Sequence, residues 1–217
     1  EVAHEKDLPA VRARCEELAD KPGVEGLLFR YRHFWGDYDH CHDGHGWYPF
    51  EVRVIRNRPD IHSWQSAQSF RSFSHYEHPR QPGGHRPLRV AKVDATIYHY
   101  GWVRPPRLMQ NKKQALDSVH WGLKRAASHY NAGPLAFDYG PMDRLAVFTG
   151  THPAVMKDRI SRLDWADMLQ KDGKPDPRRQ PHKHERLKYR FLSCIERRIL
   201  GGRPIGGFRN YRLLKNI

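Results

Sequence analysis

The chain has 217 residues, and its 38 Lys and Arg against 24 Asp and Glu give it a formal net charge of +14. This charge favours anionic partners, a class that includes nucleic acid, anionic lipid and phosphorylated substrates. The sequence contains no apolar run long enough for a transmembrane helix, and the charged segment Glu1–Asp20 does not resemble a signal peptide. The chain begins at Glu1 rather than at Met, so we expect it to be a piece of a longer protein.

The first half of the chain is predicted to hold one helix followed by strands. Asp7 as a cap, Pro9 in the first turn and apolar residues at helical spacing predict a helix over 7–20. Alternating residues predict three strands, over 24–35, 48–57 and 88–100. Polar, Gly-containing segments predict a turn over 36–46 and an exposed excursion over 74–87.

The second half is predicted to be helical. Pro105 and Pro106 open a helix that runs to about Tyr130, and its predicted buried stripe is Met109, Leu116, Val119 and Leu123. A second helix begins at Thr151 or His152 and carries Val155, Met156, Ile160 and Leu163. A third covers 183–200, with one face made of Leu187, Phe191, Cys194, Ile195 and Ile199. A charged, Pro-rich linker is predicted near 171–182. Strands first and helices second indicate an α/β fold with a helical extension.

The densest group of metal-ligand side chains lies in the predicted turn, and it comprises Asp37, Asp39, His40, Cys41, His42, Asp43 and His45. Zinc needs three or four such ligands in a fixed tetrahedron, and this group has no partner pair at the usual distance. A solvated, His-rich hairpin loop is the alternative that the spacing favours. Three widely spaced cysteines (Cys15, Cys41 and Cys194) likewise argue against a disulfide framework and favour a reducing cytosol.

Two strand segments carry residues of catalytic type. Tyr98, His99, Trp102 and Arg104 combine aromatic faces, a titratable ring and a cation, which suits a sugar or phosphate site or else an aromatic girdle of the core. Glu51 and Arg53 share one face at a period of two, either as a general base kept ionised or as a surface ion pair.

The C-terminal region has two interpretations. The Arg/Lys face of 183–200 and the basic, aromatic tail (Phe208, Arg209, Tyr211, Arg212 and Lys215) suit an anionic membrane surface. An amphipathic helix docked on the core explains the same pattern. The sequence has no Gly-rich phosphate loop, no GxSxG and no HExxH, which disfavours hydrolases of those kinds.

Several segments resemble the C-terminal portion of family 2 glycosyltransferases, which are bacterial enzymes of envelope-polysaccharide type. The resemblance covers nearly the entire chain. It is carried by VEGLLFRYRHFWGDYDH, WYPFEVRVIRNRPDIHSW, VDATIYHYGWVRPPRLMQNK, FTGTHPAVM, KYRFLSCIERRILGG and GFRNYRLLK. The opening EVAHE resembles the continuation of the metal-binding motif of these enzymes, so the resemblance implies that the nucleotide-binding strands precede Glu1 and that the isolated chain is inactive.

The resemblance implies a GT-A-like architecture, with residues 1–104 as the acceptor-side part and 105–217 as a helical extension. It implies inverting transfer from a nucleotide-sugar donor to a glycan or lipid-linked acceptor, assisted by Mg or Mn, in the cytoplasm or at the inner membrane face. The residues carried over are Glu51 as catalytic base, His99 as metal ligand, and Trp35, Trp47, Arg53, Arg56, Tyr98, Trp102 and Arg104 as substrate-binding residues. A basic nucleic-acid-binding module and a non-catalytic membrane-surface module are the alternatives. Arg is spread over strands and helices alike, which disfavours nucleic acid as a partner.

Overall fold

The computed structural model describes residues 1–65, 69–130, 133–201, 204–206, 210–215 and 217. Within them the strands are β1 (Val2–Ala3), β2 (Gly26–Trp35), β3 (His40–His42), β4 (Phe50–Ile55), β5 (Ile61–Trp64), β6 (Ser69–Phe73), β7 (His85–Trp102), β8 (Ala146–Val147) and β9 (Tyr211–Leu213). The α-helices are α1 (Leu8–Glu17), α2 (Pro106–Trp121), α3 (Leu123–Tyr130), α4 (Lys157–Ser161) and α5 (Leu187–Arg198). Short 3-10 helices cover Glu5–Asp7, Met142–Arg144, Ala154–Met156, Ala166–Met168 and Lys183–Glu185.

The fold is mixed α/β, with a largely antiparallel open sheet and helices. The chain divides into two compact units. The first unit comprises residue 1, 33–47 and 99–205, and the second comprises 2–32, 48–98 and 206–217. The units are therefore interleaved along the chain, whereas the sequence suggested a single boundary after residue 104.

The second unit has its core on both faces of β2. Leu27, Phe29 and Tyr31 pack in one cluster, while Leu28 packs in another with Val52. The alternation predicted for this strand is thus confirmed. The alternation predicted for β4 fails. Leu27 pairs with Val54 and Leu28 with Val52, so β4 has one extra residue, which forms a bulge.

Glu25 is the buried electrostatic centre of the second unit. Its carboxylate is fully buried and accepts two hydrogen bonds from Arg86, at 2.8 and 2.6 Å, and one from the Arg89 backbone N–H at 2.8 Å. Burial acts to raise the pKa of Glu25, but the bonds from Arg86 and Arg89 outweigh it and hold the pKa at about 2. Glu25 is therefore ionised at neutral pH and joins the start of β2 to β7.

Several predicted elements differ from those observed. The segment 36–46 contains β3, which pairs with β2 and β8, so only part of it is a turn. An antiparallel hairpin of β5 and β6 was not predicted. The tail, predicted as a surface segment, contains β9, which pairs in parallel with β7. Phe208 and Arg209 lie outside the described residues.

The helices of the first unit are shorter than predicted, and their apolar stripes are more exposed. The predicted helix 105–130 is two helices, because Gly122 adopts a φ of +85° that ends α2. Of its predicted buried stripe only Met109 is buried, and Leu116, Val119 and Leu123 are exposed. The helix predicted from 151 consists of a 3-10 turn and the five-residue α4, in which Met156 is buried and Val155 exposed. No helix in the described part of the chain has the length and hydrophobicity that crossing a bilayer requires.

Replacing Glu25 tests its structural role. We expect Glu25→Gln to lower the free energy of unfolding by about 2 to 4 kcal/mol, because Arg86 then loses its buried counter-charge. Urea denaturation at neutral pH measures the change. Glu16→Gln is the matched control, since Glu16 is exposed and its ion pair is with the exposed Arg12 on the same helix, and it should change stability little. Equal effects of the two substitutions would contradict the assignment.

Candidate functional site

Trp35, the last residue of β2, is the centre of an aromatic cluster in the first unit. It is 3% exposed, and its indole N–H donates a hydrogen bond to the backbone oxygen of Tyr139 at 2.9 Å. The ring of Trp102 lies 4.9 Å away and that of Trp47 5.7 Å away. The structure therefore brings together all three tryptophans predicted to bind substrate. Trp35 itself is covered by other rings, so it supports the site rather than contacting a ligand.

Histidines extend this cluster. His42 stacks on Trp47 with ring centroids 4.2 Å apart and planes within 14°. His184 lies 4.9 Å from His42, and His182 stacks on His184 at 5.5 Å. These contacts join β3 to the 3-10 turn at Lys183–Glu185, two segments that are about 140 residues apart in the sequence.

The clustered imidazoles are neutral at physiological pH. Burial, followed by the neighbouring imidazoles, lowers the pKa of His42 to about 2 and that of His184 to about 4. Burial also lowers the pKa of His182, whose ring donates from Nε2 to the Asp138 carbonyl at 2.7 Å and accepts a backbone N–H of the same turn. A neutral imidazole offers one donor and one acceptor, as a hydroxyl group does.

Within the described part of the chain, some ring nitrogens of this cluster have no hydrogen-bond partner. These buried atoms are Nε2 of His42, Nε1 of Trp47, and both Nδ1 and Nε2 of His184. A buried polar atom without a partner costs about 1 to 3 kcal/mol. Such atoms in native proteins often mark the place of a ligand or an ordered water. We therefore regard His42, Trp47 and His184 as the wall of a binding site.

A cavity of about 580 Å³ lies against this wall, within the size range of small-molecule sites. His42, Trp47 and His184 line one part of it, and Tyr189 and Ser193 of α5 line another. Its charged lining residues are Arg144, Lys183, Arg190 and Arg197 against Asp43 and Asp143. Four cations against two carboxylates make the cavity electropositive, which favours an anionic ligand.

The cavity cations differ in how they are held. Arg197 pairs with Asp43 at 2.8 Å, Lys183 donates to the Gly46 carbonyl at 2.7 Å, and Arg144 to the Gly173 carbonyl at 3.2 Å. The guanidinium of Arg190 has no partner among the described residues. Arg190 is therefore the cation of the cavity that is most readily available to a phosphate or carboxylate.

Arg179 fixes the segment that carries His182 and His184. It donates to Asp138 at 2.5 Å and, through two nitrogens, to the buried Glu185 at 2.7 and 2.5 Å. The predicted Pro-rich linker near 171–182 is therefore anchored at its end by a bidentate ion pair.

His99, the predicted metal ligand, faces another histidine. Its Nδ1 lies 3.1 Å from Nδ1 of His33, so one ring donates to the other. Burial lowers the pKa of His99 to about 4. A side chain at Gly101 would approach His99 Nε2 to 2.5 Å, which explains the glycine. The described residues include no group of three or more His, Cys, Asp or Glu side chains able to hold a metal ion.

The His-rich turn is neither a zinc cluster in the described residues nor a fully solvated loop. Asp37 is buried and accepts from the ring and backbone N–H of His40, both at 2.8 Å. His42 is buried in the aromatic cluster. His45 reaches Glu196 at 2.7 Å. The predicted ligands therefore point to separate partners on separate elements.

Glu51, the predicted catalytic base, is buried in the second unit. It is 3% exposed and accepts from the backbone of Val52 at 3.0 Å, from the Ser69 hydroxyl at 2.8 Å and from Asn210 at 3.5 Å. Burial raises its pKa. The alternative of an ion pair with Arg53 at the surface is wrong in its exposure, because the Glu51 carboxylate is buried. The charge of Arg53 acts to lower the pKa of Glu51, but burial outweighs it.

The other predicted binding residues of the second unit have structural contacts. Arg56 donates to the carbonyls of Val24, Leu18, Ala19 and Lys21 at 2.6 to 3.0 Å, so it caps the end of α1 rather than holding phosphate. Arg53 lies over the ring of Tyr31 at 5.0 Å. Tyr98 is 4% exposed and packs edge-on against His4, so its face is not open to a sugar.

Arg104 and Trp102 belong to the first unit. The Nε of Arg104 is buried and has no hydrogen-bond partner in the residues that the structure describes, and the Arg104 carbonyl accepts from the Tyr139 hydroxyl at 2.8 Å. Trp102 is partly exposed, with the ammonium of Lys112 5.5 Å above its ring. Both remain candidates for contact with a ligand.

Sequence reasoning missed His184, Arg144, Lys183 and Arg190. The signal available was the HKHE run at 182–185, a second His-rich segment beside the one at 40–45. Nothing in either segment indicates that they meet. No known protein family, curated protein or solved structure matches the chain.

The neutral imidazoles make the first unit sensitive to acid. A histidine whose pKa is lowered on folding stabilises the folded state above its unfolded pKa, near 6.5, and this stability is lost as pH falls toward the folded value. Between pH 7 and pH 5 we expect His184 alone to account for a loss of about 2 kcal/mol in the free energy of unfolding.

His184→Gln should remove that share of the loss between the two pH values, as measured by urea denaturation at each. His75→Gln is the matched control, because His75 lies in the second unit with its side chain 82% exposed. An unchanged pH dependence in His184→Gln would contradict the neutral cluster.

Proposed function

We propose that this chain is part of an inverting glycosyltransferase of family 2 type with a GT-A-like architecture. On this proposal it takes part in transferring a sugar from a nucleotide-sugar donor to an envelope glycan or lipid-linked acceptor. We expect it to act in the cytoplasm or at the inner face of the membrane. The sequence resemblance supports the class, and the electropositive cavity of the first unit is the structural observation that carries it.

The cavity combines the two kinds of group that such a ligand requires. Arg190 and Arg144 offer guanidinium donors of the kind that bind phosphate oxygens. The indole N–H of Trp47 is a donor, and the neutral rings of His42 and His184 each offer a donor and an acceptor. Sugar hydroxyls both donate and accept, so they match this set. A nucleic-acid module would not need neutral imidazoles buried beside its cations.

A carboxylate at the cavity is a better candidate for the base than Glu51. Of the two that line it, Asp43 is paired with Arg197, whereas Asp143 is exposed and has no side-chain partner among the described residues. We therefore assign to Asp143 the removal of the acceptor hydroxyl proton, which makes that oxygen nucleophilic. Glu51 stays enclosed by its hydrogen-bond donors.

A divalent cation remains an expectation of the resemblance. His99 is paired with His33, and the described residues do not supply a set of ligands around it. These side chains do not fit a metal centre as they stand. No step assigned above depends on one.

Binding of uridine, guanosine and thymidine diphosphate sugars to the chain tests the cavity assignment. It also tests the expectation from the resemblance that the nucleotide-binding strands precede Glu1, because a donor bound in this cavity would have its phosphate-binding groups in the first unit. We expect at least one of these donors to bind and to quench tryptophan fluorescence, with an affinity that falls as salt is added. Arg190→Gln should weaken binding about tenfold or more, because it removes a charge-assisted hydrogen bond. Isothermal titration calorimetry gives the affinity directly.

Arg12→Gln is the matched control, since Arg12 is an exposed arginine of α1 in the second unit, where it pairs with the exposed Glu16. In the full-length gene product, Asp143→Asn should lower kcat for sugar transfer while leaving donor affinity unchanged. Tight, salt-dependent binding of RNA with no binding of any donor would contradict the proposal. So would donor binding that Arg190→Gln does not change.

A further inference from the structure

Helix α5 is attached to the first unit by its polar face. Ser193 and Glu196 are its buried residues. The Ser193 hydroxyl accepts from the His45 backbone N–H at 2.8 Å and donates to the Tyr189 carbonyl at 2.6 Å. Glu196 accepts from the His45 ring and from the Ile205 backbone, both at 2.7 Å. These bonds fix which side of the helix is turned inward.

The apolar face of α5 consequently lies in solvent. Leu187 is 78% exposed, Phe191 68% and Ile199, just after the helix, 72%. They follow the helical spacing that normally buries a stripe against a core. The alternative in which this face docks on the core is therefore wrong. A stripe of large apolar side chains held in water indicates a surface that another phase or molecule covers.

The charges around this stripe are all of one sign. Lys188, Arg190 and Arg198 are exposed and have no ion-pair partner among the described residues. At 100° per residue, Lys188 lies on one side of the Leu187–Phe191 line and Arg190 on the other. The single acidic residue of the helix, Glu196, is buried on the opposite face. The exposed side thus combines apolar side chains with flanking cations.

We infer that α5 docks on an anionic bilayer, with its axis in the plane of the surface. Leu187, Phe191 and Ile199 enter the boundary between headgroups and acyl chains, and Lys188 and Arg198 contact lipid phosphates. The 12-residue helix is too short to cross the bilayer, so its contact is peripheral. The inference rests on α5 and does not depend on the proposed function.

Other occupants fit this face less well. A second copy of the chain would place two rows of unpaired cations against each other, which repel at an interface. Nucleic acid would use the cations but would leave the leucine, phenylalanine and isoleucine side chains without a role. A bilayer with acidic headgroups satisfies both sets of side chains at once.

Vesicle flotation tests the inference with the whole chain. We expect the protein to float with vesicles made of equal parts phosphatidylglycerol and phosphatidylcholine. With vesicles of phosphatidylcholine alone it should remain in the bottom fraction of the gradient. The double substitution Leu187→Ser with Phe191→Ser should reduce partitioning about tenfold or more, because it removes the inserted apolar area. Lys188→Gln with Arg198→Gln should reduce it several-fold and remove most of its salt dependence.

Leu8→Ser is the matched control, since Leu8 is an exposed leucine of α1 in the second unit and should leave partitioning unchanged. Circular dichroism and the urea midpoint establish that each variant is folded, and the single substitution Ile199→Ser replaces the double one if it is not. Equal partitioning of the parent chain onto both kinds of vesicle would overturn the inference. A dimer in analytical ultracentrifugation that the double substitution dissociates, or RNA binding that it abolishes, would overturn it as well.

Discussion

One buried indole orders the candidate site. The N–H of Trp35 is satisfied by a backbone carbonyl at Tyr139, and its ring contacts side chains from β3, β7 and the turn at 182–184. These segments are distant in sequence. β3 is also held by its pairing with β2, in which His42 lies opposite His33, whereas the turn at 182–184 has no strand pairing among the described residues. Packing around one large aromatic ring therefore fixes the position of this turn, and of His184 with it.

The site separates its charges from its neutral polar groups. Burial keeps the imidazoles uncharged, and the cations stand at the cavity where solvent reaches them. A ligand with a charged end and a hydroxyl-bearing end could satisfy both regions in a single orientation. The partnerless ring nitrogens weaken the folded state, and binding would recover part of that cost. Such an arrangement favours specificity over stability.

Local patterns in the sequence predicted β2, β7, α1 and the existence of α5, because alternation and helical spacing report which residues are buried side by side. They did not predict the bulge in β4, since one extra residue shifts every side chain after it to the other face. They also predicted the wrong buried face for α5. Helical spacing identifies its apolar stripe, but it does not reveal that Ser193 and Glu196 hydrogen-bond to His45 and so turn the polar face inward. Predicting the cavity would have required knowing that His42 and His184 are in contact, and no local sequence pattern encodes that contact.

The anchoring of Arg179 to Asp138 and Glu185 bears on how this protein can be altered in the laboratory. Segments rich in proline and charge are common choices for epitope tags, protease recognition sites and new chain termini, because they are assumed to tolerate cutting. Residues 176–185 should tolerate none of these, since a break there would release both histidines of the turn from their positions. The exposed excursion at 75–83 in the second unit is a better place for an insertion.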